Sequence, residues 1–204
     1  MTVRAAVFDI GGVLETTAPM EFDQRWERRL GLPPGEINRR MDDVWLDGSL
    51  GKLSETEVHR LASERLNLDT ASVTAMMDEM WVEYLGTGNT DLINYVASLR
   101  SRVRTAILSN SFVGASEREQ RRYGFPTLVD VIVYSHEVGI KKPDPRVYAL
   151  VCERLGVQPG EAIFVDDVPS CVRAAHEAGM HAIQFSDNAR VIAAIEALLG
   201  PAAP

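Results

Sequence analysis

Residues 3–15, VRAAVFDIGGVLE, are the stretch of sequence that decides the fold. Their apolar and β-branched run stops at Asp9, and the pair Gly11-Gly12 follows at once, which is typical of a buried strand that enters a tight turn. Four later runs have the same character and also end at small polar or acidic residues. These runs cover residues 105–108, 129–134, 162–165 and 182–185.

Helical patterns separate these apolar runs. They cover residues 91–100, 145–155, 170–178 and 189–199, with Gly156 and Gly179 as predicted helix C-caps and a tail beyond residue 199 that is expected to fray. Strands without polar alternation, separated by helices, predict an α/β fold with a doubly wound parallel sheet that is covered on both faces. Such sheets bind ligands at the carboxyl ends of their strands, so the polar strand ends are expected to converge on one site.

Residues 17–88 interrupt this alternation and are predicted to be helical throughout. The predicted helices cover residues 20–30, 34–47, 54–66 and 70–85; Gly48 is expected to end the second, and Ser54 with Glu57 forms a capping box at the start of the third. An insert of this size between the first two strands predicts a small helical cap. We therefore expect an α/β core of residues 1–16 and 89–204 and a cap of residues 17–88.

The composition is that of an ordinary globular protein, with 204 residues, 46% hydrophobic residues and a formal net charge of -8. This acidic balance argues against nucleic acid or an anionic membrane as a partner. Arg4 and Asp9 break the first apolar run before it reaches signal-peptide length, and no run approaches the roughly 20 residues of a membrane span. Cys152 and Cys171 have no metal-binding or disulfide-framework spacing, so a reducing, cytoplasmic setting is expected.

Carboxylates stand at two of the strand ends. Asp9, beside glycines that expose backbone N–H groups, suits a nucleophile or a metal ligand, although an aspartate here also suits a helix cap. Asp166 and Asp167 are adjacent carboxylates of the kind that bind Mg²⁺. Capping of the helix that opens near Pro169 is the alternative for this pair.

Two further strand-end or loop features suit a phosphate group. Ser109 and Asn110 offer a hydroxyl, an amide and free N–H groups, although turns use the same residue types. The chain has three lysines against eighteen arginines, and two of them, Lys141 and Lys142, precede a proline-rich loop just before a helix. A solvated loop charge is the alternative for these lysines.

Four motifs, FDIGGVL (8–14), LSN (108–110), KKPDP (141–145) and FVDD (164–167), occur in an order and spacing that resembles the haloacid dehalogenase superfamily. This is a large group of phosphatases and dehalogenases that use an aspartate nucleophile. The resemblance covers essentially the whole chain, and the helical insert is similar to that family's small cap. It implies a Mg²⁺-dependent phosphatase that acts on a small phosphorylated metabolite through an aspartyl-phosphate intermediate.

The resemblance also implies roles for individual residues. Asp9 matches the nucleophile, and Lys142 matches the lysine that steadies the charge of the nucleophile and the phosphate. Asp167 aligns better than Asp166 with the direct metal ligand. The implied substrate-binding residues are Gly12, Ser109 and Asn110, and the implied metal-binding groups are Asp9, the Gly11 carbonyl, Asp166 and Asp167.

Gly11 departs from the family pattern, because phosphatases of the family usually carry a second aspartate there as acid and base. Such assistance is typically worth about 10² to 10⁴ in rate. One interpretation is a phosphatase that takes good leaving groups or borrows a group from Glu15 or the cap. A second is a catalytically weak phosphate-binding or regulatory protein, and a further alternative is phosphomutase-like transfer. A third is a metal-independent 2-haloacid dehalogenase with Arg25, Arg28 or Arg29 as the carboxylate anchor.

The cap is expected to determine which substrate is bound. Met77, Met80 and Trp81 follow helical spacing and are predicted to form cap core rather than a ligand cage. Arg39 and Arg40 are predicted to lie on a solvated face rather than in a second phosphate site. His136 is expected to lie in a loop at the periphery of the site.

Overall fold

The computed structural model describes residues 2–200, and the predicted fraying of the tail falls on residues 201–204, outside the described part. A five-stranded parallel sheet forms the centre of the molecule, with spatial order β5-β4-β1-β6-β7. A short antiparallel pair, β2-β3, lies beside it. Within the described residues, the strands are β1 (Ala5–Phe8), β2 (Glu15–Thr16), β3 (Thr87–Gly88), β4 (Arg104–Ser109), β5 (Val131–Tyr134), β6 (Ala162–Asp166) and β7 (His181–Gln184).

Helices cover both faces of the main sheet, as the sequence predicts. Ala6 and Phe8 of β1 pack toward one face, against α5 (Thr90–Leu99) and α11 (Asn188–Leu199). Ala5 and Val7 pack toward the other face, against α9 (Pro145–Leu155) and α10 (Pro169–Glu177). All four β1 side chains are fully buried, which explains why this strand is a continuous apolar run.

Four helices lie between β2 and β3 and form a third apolar cluster of their own. They are α1 (Phe22–Leu30), α2 (Glu36–Ser49), α3 (Glu55–Leu66) and α4 (Thr70–Tyr84). Met77, Met80 and Trp81 are buried in this cluster, as predicted. Phe112 from the loop after β4 and Ala115 from the start of the following helix join it. β2 pairs with β3, so the segment that enters the four helices lies beside the segment that leaves them.

Helix boundaries agree with the sequence to about two residues, and the Ser54–Glu57 capping box is present. The prediction that Gly48 ends the second helix is wrong, because α2 continues to Ser49. A β-carbon at Gly48 would overlap the Phe112 ring, so this glycine makes room for a neighbour.

Three helices were not predicted from the sequence. They are α6 (Ala115–Tyr123), α7 (Phe125–Leu128) and α8 (Ser135–Val138). No helix in residues 2–200 combines the length and apolarity needed to cross a membrane.

Candidate active site

The register of the parallel strands brings the predicted strand-end residues to one edge of the sheet. Phe8, the last residue of β1, lies beside Ile107 of β4 and Val165 of β6. Asp9 follows Phe8 and donates its backbone N–H to the Val165 carbonyl at 2.9 Å. Asp9 and Asp166, the next residues along β1 and β6, therefore lie side by side at this edge, and Ser109 ends β4 beside them.

Lys142 links two of these carboxylates from the loop before α9. Its Nζ lies 2.8 Å from Oδ1 of Asp9 and 2.6 Å from Oδ2 of Asp166. Oδ1 of Asp9 also accepts the Ile10 N–H at 2.8 Å, which leaves Oδ2 of Asp9 outside these contacts. The lysine, 2% exposed, thus fixes the rotamer of Asp9 and leaves one oxygen of that carboxylate for another partner.

The side chain of Asn110 holds Lys142 in place rather than pointing at an open site. Its Nδ2 donates to the Lys142 carbonyl at 2.9 Å, and its Oδ1 accepts the Lys142 N–H at 2.8 Å. Ser109, the last residue of β4, is buried beside it. The Asn110 side chain is therefore already engaged, and its backbone N–H is the group left for another ligand.

The two adjacent aspartates after β6 have different surroundings. Asp166 is fully buried, and its oxygens accept from Val168 N–H at 2.8 Å and from Lys142. Asp167 is more exposed, and its carboxylate lies where a β-carbon on Gly12 would be. Gly12 has a φ of 74°, so this position favours glycine both by conformation and by the close approach of Asp167.

Asp9, Asp166 and Asp167 form one cluster, in which one oxygen from each lies within 4.8 Å of the others. Burial raises the pKa of Asp9, with Asp166 adding to the shift and Lys142 opposing it. Burial alone would lower the pKa of Lys142, yet Asp9 and Asp166 outweigh it and the net shift is upward. Three carboxylates face one ammonium, so the cluster can accept a further cation through oxygen ligands.

A cavity of about 180 Å³ opens beside this cluster, between the strand ends and the helical insert. Gly11, Ser109 and Asn110 line it from the sheet, and Met20 and Tyr84 line it from the insert.

Sequence reasoning missed one carboxyl group on the wall of this cavity. Glu119, on α6, is fully buried and lines the cavity together with Glu15, which the sequence analysis had already named. The stretch around it, SEREQRRY, is so polar that it resembles a solvated surface. A buried glutamate in such a helix leaves no distinct pattern in the sequence.

Other residues singled out from the sequence do not line this cavity. His136 hydrogen-bonds Ser111 Oγ through Nδ1 at 2.7 Å, in agreement with a peripheral position. Arg25 and Arg29 are held in ion pairs with Glu79 inside the insert. These two arginines are therefore already paired and poorly suited to anchor a substrate carboxylate.

Comparison with known proteins identifies the family. Residues 3–179 match the family model of haloacid dehalogenase-like hydrolases. The chain belongs to this family of hydrolases, so the resemblance inferred from the four motifs is confirmed. Its fold, a parallel sheet with helices on both faces, is that of its structural neighbours.

Several curated relatives are similar over nearly the whole chain. A phosphatase of Mycobacterium tuberculosis is 31% identical over 190 residues, which are 89% of this chain and 87% of that protein. Mouse acyl-CoA dehydrogenase family member 10 is 31% identical over 97% of this chain, and pig bifunctional epoxide hydrolase 2 is 27% identical over 98%. The chain spans only 19% and 39% of the lengths of these two larger proteins.

Solved structures show the same fold. A HAD-like family hydrolase from Porphyromonas gingivalis superposes with a TM-score of 0.81 at 25% identity, over 99% of this chain and 100% of that one. A HAD family enzyme from Bacteroides thetaiotaomicron, solved in complex with magnesium and inorganic phosphate, has a TM-score of 0.76 at 19% identity. That match covers 90% of this chain and 94% of the other.

Proposed function

We propose that this protein is a Mg²⁺-dependent phosphatase that hydrolyses small phosphorylated metabolites through an aspartyl-phosphate on Asp9. The observation that carries the proposal is the cluster of carboxylates around Asp9. Lys142 joins Asp9 to Asp166, and Asp167 lies close enough to both aspartates to share a metal ion with them. Two relatives add support: the mycobacterial phosphatase and a phosphorylated carbohydrates phosphatase of Thermotoga maritima, which is 29% identical over 89% of this chain.

The donor set fits Mg²⁺, which prefers carboxylate and carbonyl oxygens and keeps several waters. We assign Asp9, Asp167 and the Gly11 carbonyl as its protein ligands. Asp166 has both oxygens engaged by Lys142 and Val168, so we assign it to hold the lysine and to add negative charge nearby. When bound, the ion neutralises charge on the transferring phosphoryl group.

The chain's own residues divide the remaining work. Oδ2 of Asp9 forms a bond to phosphorus while the bond to the leaving-group oxygen breaks, and water later releases the phosphate from Asp9. Ser109 donates its hydroxyl to the phosphoryl oxygens, with backbone N–H groups of Gly12 and Asn110 beside it. Lys142 stays protonated between two carboxylates and offsets charge in the transition state.

We assign residues 1–16 and 89–204 to the catalytic core and residues 17–88 to a cap that closes the cavity and selects the substrate. The alternative reading as a 2-haloacid dehalogenase fits less well. Arg25 and Arg29 are already in ion pairs. The three clustered carboxylates would also repel a carboxylate substrate.

The test is release of inorganic phosphate from an activated aryl phosphate, an acyl phosphate and several sugar phosphates, with and without Mg²⁺. We expect Mg²⁺-dependent turnover, and we expect Asp9→Asn to lose it by roughly 10⁴-fold or more while the circular dichroism spectrum stays unchanged. Phosphate and Mg²⁺ binding without any turnover would replace the proposal with a binding or regulatory role. Chloride release from a chloroalkanoate without Mg²⁺ would replace it with dehalogenation.

A further inference from the structure

Two buried carboxyl groups on the cavity wall have no role in the chemistry described so far. Glu119 is 0% exposed and Glu15 is 1% exposed. Both carboxyl oxygens of Glu119 and Oε1 of Glu15 make no hydrogen bond, and within residues 2–200 neither side chain forms an ion pair. Burying a polar group without a hydrogen-bond partner costs free energy, so a partner that enters the cavity would recover part of it.

The surroundings of Glu119 are arranged to receive such a partner. The hydroxyl of Tyr134, at the end of β5, lies beside Glu119, yet neither group makes a hydrogen bond of normal geometry. Gly11, Ser109 and Glu119 line the same cavity of about 180 Å³. A substrate whose phosphoryl group lies against Asp9 therefore has its leaving-group end in the cavity that Glu119 lines.

Elementary chemistry requires a proton donor at that end. Attack by Asp9 on a phosphomonoester expels an alkoxide, which is a poor leaving group unless it is protonated. Lys142 cannot reach it because two carboxylates hold its ammonium group. Position 11 carries no side chain, and Glu83 accepts two backbone N–H groups and pairs with Arg25, which keeps it ionised.

We propose that Glu119, buried on the wall of the cavity that Gly11 and Ser109 also line, is the general acid and base of this reaction. The inference rests on the proposed phosphatase function. It places the general acid and base on α6, which lies outside the four motifs, because Gly11 has no side chain that could transfer a proton.

The proton balance closes over one turnover. In the first step the Asp9 oxygen–phosphorus bond forms, the bond from phosphorus to the leaving oxygen breaks, and the Glu119 proton passes to that oxygen. In the second step the Glu119 carboxylate takes a proton from the water that attacks phosphorus. The bond between Asp9 and phosphorus breaks, inorganic phosphate leaves, and Glu119 is protonated again.

Burial, with a smaller contribution from the Asp9 carboxylate, favours the neutral form of Glu119. Burial raises the pKa of Glu119 to about 7, and burial together with the Glu119 carboxyl raises the pKa of Glu15 to about 9. An acid whose pKa is close to the working pH is the most effective donor. Within residues 2–200, the titratable and charged groups that act on this pair are Asp9 from the loop after β1, Tyr84 from α4, Tyr134 from β5, and Arg122 and Tyr123 from α6. Arg122 is the cation that acts on Glu15.

The test compares Glu119→Gln with wild type on glycerol phosphate and on 4-nitrophenyl phosphate, with Mg²⁺, in the first turnover. We expect a loss of about 10²-fold for glycerol phosphate, whose leaving group needs the proton. For 4-nitrophenyl phosphate we expect a change of less than about threefold in the burst of nitrophenolate, followed by slow turnover because water is no longer activated. The wild-type rate on glycerol phosphate should fall as pH rises above about 7, and the variant should lack this limb.

Two matched variants separate chemistry from folding. Glu119→Asp keeps a carboxyl group and should restore the pH limb, and Glu117→Gln changes an exposed glutamate of the same helix and should behave as wild type. An equal loss on both substrates in the first turnover would overturn the assignment of Glu119. If wild type fails to hydrolyse 4-nitrophenyl phosphate, or Asp9→Asn retains activity, the proposed phosphatase function fails instead.

Discussion

The sheet edge and the cavity wall treat their buried carboxyl groups in opposite ways. At the sheet edge, the carboxylates of Asp9 and Asp166 share the Lys142 ammonium and accept backbone N–H groups. On the cavity wall, Glu15 and Glu119 are buried as deeply, and neither side chain forms an ion pair in residues 2–200. The carboxylates at the sheet edge are therefore stabilised in the ionised form that attacks phosphorus or binds a cation. The carboxyl groups on the cavity wall are stabilised in the protonated form that can donate a proton to a leaving group.

Removing the ion pairs of Lys142 at the sheet edge should have the largest effect on the free energy of unfolding. Lys142→Met leaves two buried carboxylates without their ammonium partner, and loss of one member of a buried ion pair costs about 3–5 kcal/mol. Urea unfolding at pH 7 measures this change in the free energy of unfolding. Lys141→Met, one residue earlier and half-buried, is the control and should stay within about 0.5 kcal/mol of wild type. Similar losses for both variants would show that the ion pairs of Lys142 add little.

Replacing the carboxyl group of Glu119 on the cavity wall should instead increase the free energy of unfolding, by an amount that depends on pH. The pKa of Glu119 rises from the usual value near 4.5 to about 7 on folding. The unfolded chain therefore binds fewer protons than the folded protein between these pH values, and wild-type stability falls as pH rises through this window. Relative to wild type, Glu119→Gln should gain up to about 3 kcal/mol between pH 4.5 and pH 8.

Unfolding curves at several pH values measure this difference. Glu117→Gln should leave the wild-type pH dependence in place, because that side chain is exposed. A constant difference between Glu119→Gln and wild type across the range would contradict a protonated, buried Glu119.

A smaller effect should distinguish the two glycines at the sheet edge. Gly12→Ala places a methyl group on the Asp167 carboxylate at a positive φ, which should cost about 1–2 kcal/mol and weaken Mg²⁺ binding. Gly11→Ala meets no atom within 4 Å and needs no positive φ, so its unfolding free energy should change little. Urea unfolding and calorimetric titration with Mg²⁺ measure both quantities. Equal destabilisation by the two substitutions would count against a special need for glycine at position 12.

Most of the fold and the sheet edge could be predicted from the sequence. Apolar runs and helical spacing are local patterns, so the strands and helices that were predicted came within about two residues, whereas β2, β3 and α6 to α8 were not predicted. Parallel strands align their carboxyl ends, so Asp9, Ser109 and Asp166 could be expected to meet. The family resemblance, carried by motifs at those strand ends, is confirmed, while the catalytic and metal-binding roles of the individual residues stay predictions.

The cavity wall could not be predicted in the same way. Glu119 lies in a helix with six charged or amide side chains in the run EREQRR, and the spacing of its few apolar residues predicts no buried face. Its burial arises because α6 packs beside β5 and the insert, which are distant in the sequence. The same reason explains the error at Gly48, where Phe112 of the loop after β4 requires a residue without a side chain.

The sequence by itself therefore determined the order of the strands and helices, the helical insert, and the residues that stand at the strand ends. These features follow from local periodicity and from the geometry of parallel strands. Only the tertiary structure decided that Asn110 holds Lys142, that Asp166 and Asp167 differ in their surroundings, and that Glu119 faces Glu15 across the cavity wall. Those outcomes depend on which distant groups share one buried space, and burial is what sets their charge.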